Sequence, residues 1–192
     1  MSDNLVLLGF SGSGKSSVGR ILAQRLGWSF VDTDARIVAR FGVPIARLFA
    51  ERGEAAFRAA EREAVAAVCA ERHRVISLGG GAPVDEANRT VIAEGNLVVR
   101  LEASPEELLR RLRAQGPTEE RPLLNAPDPL ERIRGLLDAR RDAYAIADVV
   151  VNTEGLSPEE VAEAIEQRMA TPRPSSVPSP RTPAAQSPKQ SP

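Results

Sequence analysis

The sequence predicts an α/β fold: an open, mostly parallel sheet of five strands with helices on both faces. Three observations predict it. Five short runs suited to buried strands, at 5–8, 28–32, 75–78, 97–101 and 148–151, alternate with helical patterns, as in strands joined by crossover helices. The first run leads into Gly9-Phe10-Ser11-Gly12-Ser13-Gly14-Lys15-Ser16, which fits the phosphate-binding pattern G-x-x-x-x-G-K-[ST] between a strand and a helix. Asp32 and Asp34 follow the second run, and Gly79-Gly80-Gly81 follows the third. Ligands on such sheets gather at the carboxyl ends of strands, so these three stretches are expected to line one crevice.

In chain order, the helix after the glycine loop carries Val18, Ile21, Leu22 and Leu26 at helical spacing and stops at Gly27, a residue suited to a left-handed C-terminal cap. A helix is expected from Asp34 to about residue 50, and another from 53 to about 72 with Phe57, Ala60, Ala64 and Val68 on one face. Helices are expected at 83–94 and 129–144. Ser104-Pro105-Glu106-Glu107 and Ser157-Pro158-Glu159-Glu160 are capping boxes with proline in the first turn, opening one helix after the fourth strand and the last helix to about 169. A polar loop with glycine and proline, 114–125, joins two helices and contains Arg121; we expect a mobile lid there. The folded domain is expected to span 1–170. Residues 171–192 hold seven of the 15 prolines, five serines and no acid, and a disordered, dispensable tail is expected.

Composition narrows the function. The 192 residues carry a net charge of −1, or −4 without the tail (22 basic against 26 acidic), so nothing draws the chain toward nucleic acid. The single Cys69 excludes an internal disulfide and the lone His73 disfavours zinc. Cys69 is expected as buried filler, and His73 in solvent at a helix end. The run at 5–8 is far too short to span a membrane, and the N-terminus has no signal-peptide pattern. A soluble, cytoplasmic, monomeric protein is expected.

The residue types in the crevice suit phosphoryl transfer. Gly9, Gly12 and Gly14 let backbone N–H groups turn toward phosphate oxygens, and the helix that follows aims its positive end at the same place. Lys15 can reach the β and γ phosphates, and the Ser16 hydroxyl can ligand Mg2+. Of Asp32 and Asp34, one can hold Mg2+ through water and the other can orient or deprotonate an acceptor hydroxyl. Gly79-Gly80-Gly81 permits close backbone approach to a ligand. Arg58 and Arg140, with Asp34, suit a small acceptor bearing a carboxylate and hydroxyls. Arg121 on the lid suits charge stabilisation at the transferred group.

With these residues in place, the chain resembles the shikimate kinases. The shared, ordered pattern covers about residues 4–168: GFSGSGKSS at 9–17, DTD at 32–34, GEAAFR at 53–58, SLGGGAP at 77–83 and RPLL at 121–124. The resemblance implies the three-layer P-loop NTPase fold of the nucleoside-monophosphate-kinase type, with sheet order 2-3-1-4-5. It also implies ATP- and Mg2+-dependent phosphorylation of the shikimate 3-hydroxyl in chorismate and aromatic amino-acid synthesis. Carried over by position, Gly12, Ser13, Gly14, Lys15, Ser16 and Ser17 bind ATP phosphates, and Ser16 and Asp32 hold Mg2+. Asp34 is the catalytic base and contacts shikimate hydroxyls. Arg58 and Arg140 hold the shikimate carboxylate, Gly80 contacts shikimate by its backbone, and Arg121 approaches the transferred phosphate.

Two stretches depart from the family pattern. The family usually has proline-leucine-tyrosine after the substrate arginine, where this chain reads Arg140-Arg141-Asp142-Ala143-Tyr144; spacing to Tyr144 selects Arg140 over Arg141. The adenine-stacking arginine often stands seven before the lid arginine, which is Ala114 here, with Arg113 one earlier. Either the lid is one residue longer or the adenine contact differs. Two competing readings are a kinase of the same fold acting on gluconate and a non-catalytic sensor of shikimate or nucleotide. GEAAFR and the glycine triplet argue against the first; intact Lys15, Ser16, Asp34 and Arg121 argue against the second.

Overall fold

The computed structural model describes residues 3–114 and 123–170. Most of the expected lid, Arg121 within it, and the 171–192 tail lie outside the described residues.

Five parallel strands form one sheet: β1 (Leu5–Gly9), β2 (Ser29–Asp32), β3 (Arg74–Ser77), β4 (Leu97–Glu102) and β5 (Val149–Asn152). Their order is β2-β3-β1-β4-β5, as the resemblance implied. β1 is central, with Leu5 in register with Val75 on one side and Leu97 on the other. Its residues are buried throughout, which is why its sequence is a continuous apolar run rather than an alternation. Successive side chains feed opposite faces. Leu5 and Leu7 pack with Val18, Leu22, Val161 and Ile165, from α1 (Lys15–Leu26) and α7 (Pro158–Ala170). Val6 and Leu8 pack with Val65, Val68 and Ile92, from α3 (Ile45–Cys69) and α4 (Glu86–Ala93).

Two smaller clusters flank this core. Ile37, Leu48, Phe57 and Ala60 hold α2 (Thr33–Phe41) against α3. Phe10, Leu108, Leu112 and Ile133 hold α5 (Pro105–Ala114) against α6 (Pro129–Ala139). The crevice opens between these two flanks, above the carboxyl ends of the strands.

Three expected helices end differently. The helix expected from Asp34 to about 50 stops at Phe41: Gly42 takes a left-handed φ of 68°, and Pro44 starts α3 with an extended backbone. Gly53, at φ 78° and ψ 171°, then breaks α3. The helix expected over 83–94 is split, because the Asp85 carboxylate accepts the Ala87 N–H and begins α4 there. The helix expected over 129–144 ends at Ala139; Arg140 is non-helical at φ −102°, ψ 1°, and a short 3-10 helix, Ala143–Ile146, follows. Both capping boxes form, with Ser104 Oγ accepting the Glu107 N–H and Ser157 Oγ the Glu160 N–H.

Cys69 is half-buried beside the α3–sheet cluster, and burial pushes its thiol up to about 11, so it stays protonated. His73 is exposed and meets the Trp28 ring edge-on at 5.4 Å. Among the described residues no helix is long and apolar enough to cross a membrane.

Candidate active site

The loop between β1 and α1 forms the floor of the site. Gly12 and Gly14 hold φ of 85° and 98°, values that a side chain resists. Gly14 precedes α1 without any side-chain cap, so the first N–H groups of the helix stay available to an anion. The Ser13 N–H is already held by the Phe10 carbonyl at 3.2 Å, while its buried hydroxyl has no partner among the described residues. Lys15 Nζ donates to the Gly9 and Phe10 carbonyls, each at 2.9 Å. Burial brings its ammonium down to about 8, opposed by Asp34 and Asp32 and helped by Arg140.

Asp32 and Asp34 divide their work in a way the sequence left open. Asp32, not Asp34, caps α2: its Oδ1 accepts the N–H groups of Asp34 and Ala35 at 3.0 and 3.2 Å. Its Oδ2 accepts the Ser16 hydroxyl at 2.9 Å. Ser16 and Asp32 are therefore adjacent oxygen donors of the kind a hard cation prefers. Among the described residues no group of three His, Cys, Asp or Glu could hold a metal unaided. Asp34 turns instead to Gly79, where any Cβ would overlap its Oδ1. Burial, aided by the neighbouring Asp32 and partly offset by Lys15, pushes the Asp34 carboxyl up to about 6. That leaves it ionised at neutral pH yet ready to take a proton.

The glycine triplet forms the opposite wall, and long-range bonds hold it. Thr33 Oγ1 accepts the Gly79 N–H at 2.9 Å. A Cβ on Gly80 would lie 3.2 Å from Arg140 Nη1, and one on Gly81 would lie 3.0 Å from Arg58 Nη1. Gly79 thus leaves no room for a Cβ beside Asp34, whereas at Gly80 and Gly81 the guanidinium ends would have to give by a few tenths of an ångström. Arg140 reaches this wall from the non-helical turn after α6, its guanidinium 5.4 Å over the Phe10 ring. Arg141 points elsewhere and pairs with Asp138 at 2.6 Å, largely in solvent. The geometry therefore brings Arg140, and not Arg141, to the crevice.

Sequence reasoning missed two residues. Glu61 is 1 % exposed and accepts from Arg58 Nη1 at 2.8 Å; burial raises its pKa and the Arg58 pairing pulls it back. The spacing of three from Arg58 on a helix was the available signal. Tyr144 donates its hydroxyl to the Gly80 carbonyl at 2.7 Å across 64 residues of sequence, a contact with no local signal.

Gly12, Gly14, Lys15, Ser16, Asp34 and Gly80 line a cavity of about 430 Å³, with Ser17 exposed at its edge. A second cavity, about 420 Å³, lies on the other side of the loop between Arg110, Arg111, Thr153 and Leu156. Ala114 and Arg113, the positions marked by spacing to Arg121, are exposed at the end of α5. The arginines beside the loop are Arg110 and Arg111, a turn earlier on the helix. Arg111 is tied down, donating to Thr153 Oγ1 and its carbonyl at 2.9 and 2.7 Å.

Comparison with known proteins agrees with the motifs and the fold. The family model for shikimate kinase matches residues 11–170. The shikimate kinase of Moorella thermoacetica is 44% identical over 169 residues, 88% of this chain and 95% of that one. The structure of the Acinetobacter baumannii shikimate kinase in complex with shikimate superposes with a TM-score of 0.82 at 31% identity, covering 88% of this chain and 93% of that one. A Sinorhizobium meliloti gluconokinase shares the fold alone, with a TM-score of 0.52 at 22% identity, covering 88% of this chain and 94% of that one. On its motifs, its sheet order, its site and these matches, the chain belongs to the shikimate kinase family.

Proposed function

We propose that this protein transfers the γ-phosphoryl group of ATP to the 3-hydroxyl of shikimate, giving shikimate 3-phosphate and ADP on the route to chorismate and the aromatic amino acids. The observation that carries this reading is the meeting, at one crevice, of a phosphate-binding loop, a carboxylate near pKa 6 and two arginines on a glycine wall.

The phosphates rest on the N–H groups of the loop and the first turn of α1, with Lys15 turned toward the β and γ phosphates. Asp34 accepts the proton of the 3-hydroxyl as its oxygen bonds to the γ phosphorus and the bond to the ADP oxygen breaks. Arg58 and Arg140 pair with the acceptor carboxylate, and the Gly80 backbone closes on the ring. Ser16 and Asp32 would hold Mg2+, which when bound neutralises phosphate charge. Arg121, outside the described residues, would complete the charge stabilisation. The second cavity suits the nucleotide base, against Arg110. The protein works as a cytoplasmic monomer without nucleic-acid or membrane partners.

The test is ADP release with ATP and Mg2+, with and without shikimate. Shikimate-dependent release that falls about a hundredfold in Asp34→Asn is the expected result; faster phosphorylation of gluconate than of shikimate would overturn the assignment.

A further inference from the structure

Tyr144 lies behind the acceptor wall and takes no direct part in the chemistry above. Its side chain is 4 % exposed and packs with Leu8, Leu78 and Ala82. Its backbone N–H is held by the Arg140 carbonyl at 3.0 Å. Burial raises its phenol above the ordinary value, with Arg140 pulling the other way, so at neutral pH the hydroxyl is a donor. Its acceptor is the Gly80 carbonyl.

That carbonyl belongs to the peptide unit joining Gly80 to Gly81. The described residues contain no cis peptide, so the C=O and N–H of this unit point in opposite directions. Fixing the carbonyl on Tyr144 therefore aims the Gly81 N–H away from Tyr144. No acceptor among the described residues takes that N–H. Arg58 stands beside Gly81 and Arg140 beside Gly80. A peptide between two glycines has more freedom to turn over than any other, and a turned peptide would present its carbonyl in place of the N–H.

We propose that Tyr144 is a positioning residue for the acceptor, locking the Gly80–Gly81 peptide so that the Gly81 N–H joins the Arg58 and Arg140 guanidiniums in one fixed face for a carboxylate. The proposal rests on the reading of the acceptor as shikimate. It also accounts for Arg140 and Tyr144 sharing one short turn: the residue that reaches the acceptor and the residue that sets the opposite peptide are joined by a backbone hydrogen bond.

The test is Tyr144→Phe, which removes one hydroxyl and leaves the ring. KM for shikimate is expected to rise about tenfold, the usual scale for a lost hydrogen bond at a charged site, with KM for ATP unchanged. An acceptor whose carboxylate is reduced to an alcohol should lose much less. Ile146→Val, in the same packing cluster but without a bond to the triplet, serves as a stability control and should leave shikimate KM alone. Tyr144 is the chain's single tyrosine, so 3-fluorotyrosine labelling adds a readout that needs no mutation. Its fluorine resonance should shift on saturation with shikimate and not with the reduced analogue. An unchanged shikimate KM in Tyr144→Phe, equal losses for both acceptors, a matching KM rise in Ile146→Val, or a silent fluorine signal would each overturn the proposal. Wild-type protein without shikimate turnover would instead overturn the assignment of function.

Discussion

Arg58 and Arg110 stand on opposite flanks of the phosphate-binding loop and are held in different ways. Arg58 is fixed by Glu61, which is 1 % exposed, at 2.8 Å and by Glu54 at 3.2 Å, and it presses on Gly81. Arg110 is paired with Glu107 at 2.6 Å, but its side chain is 69% exposed, where such a pair contributes little. The flank proposed for the acceptor is further braced by Thr33 on Gly79 and Tyr144 on Gly80. On the flank proposed for the nucleotide the corresponding brace is Arg111 on the Thr153 carbonyl. A small acceptor offers few atoms, so each contact has to be in place before it arrives. A nucleotide brings phosphates that backbone N–H groups and a helix end recognise together, and its base can rest on an exposed surface.

The comparison can be broken or sharpened by substitution. The largest effect is expected at the loop between the flanks, which serves both ligands: Lys15→Ala should lower kcat about 10³-fold, as when a fixed charge is removed from a transition state. Steady-state rates at saturating ATP and shikimate would check this.

Asp34→Asn should cost kcat about 10²-fold, the low end for a general base, because phosphoryl transfer leaves little covalent chemistry to the protein. The same substitution should raise Tm at pH 7. The folded pKa of Asp34, about 6, lies above the ordinary 3.8, so its stabilising, protonated form is fully present below about pH 4. That contribution is lost as pH rises through 6. At neutral pH the ionised carboxylate therefore destabilises the fold, on the order of 1–3 kcal/mol, and thermal melts at pH 5 and pH 7 would show the gap between variant and wild type widening with pH. For the same reason kcat/KM should rise through about pH 6 as Asp34 ionises, and fall through about pH 8 as Lys15 loses its proton.

Between the flanks themselves, Arg58→Ala should raise KM for shikimate about 10- to 100-fold, and Arg110→Ala should raise KM for ATP by no more than about threefold. Equal effects would erase the distinction drawn above. The smallest change is expected from truncation after Ala170, with kcat/KM staying within about twofold.

The strands were legible because four of the five are strongly apolar and the loop motif marks where the first one ends. The break at Gly42 and Pro44 was not, since Ile37, Phe41, Ile45 and Leu48 keep one helical spacing across it; the periodicity reports which side faces the core, not whether the backbone is continuous. The end of α6 was hidden in the same way, and it matters more, because the non-helical turn at Arg140 is what lets that side chain reach the glycine wall. Asp34, Arg58 and Gly80 could be named from sequence because their stretches match a pattern. Tyr144 could not, since its role exists only once β3 and the turn after α6 are folded together.

Lys15 donates to two carbonyls of its own loop. Its buried charge is thus partnered by backbone of the same loop. An incoming nucleotide must displace those two bonds, which weakens the grip by a comparable amount. On the proposed reaction, that competition would cost some affinity and ease the departure of ADP, which suits a catalyst that has to empty its site every cycle.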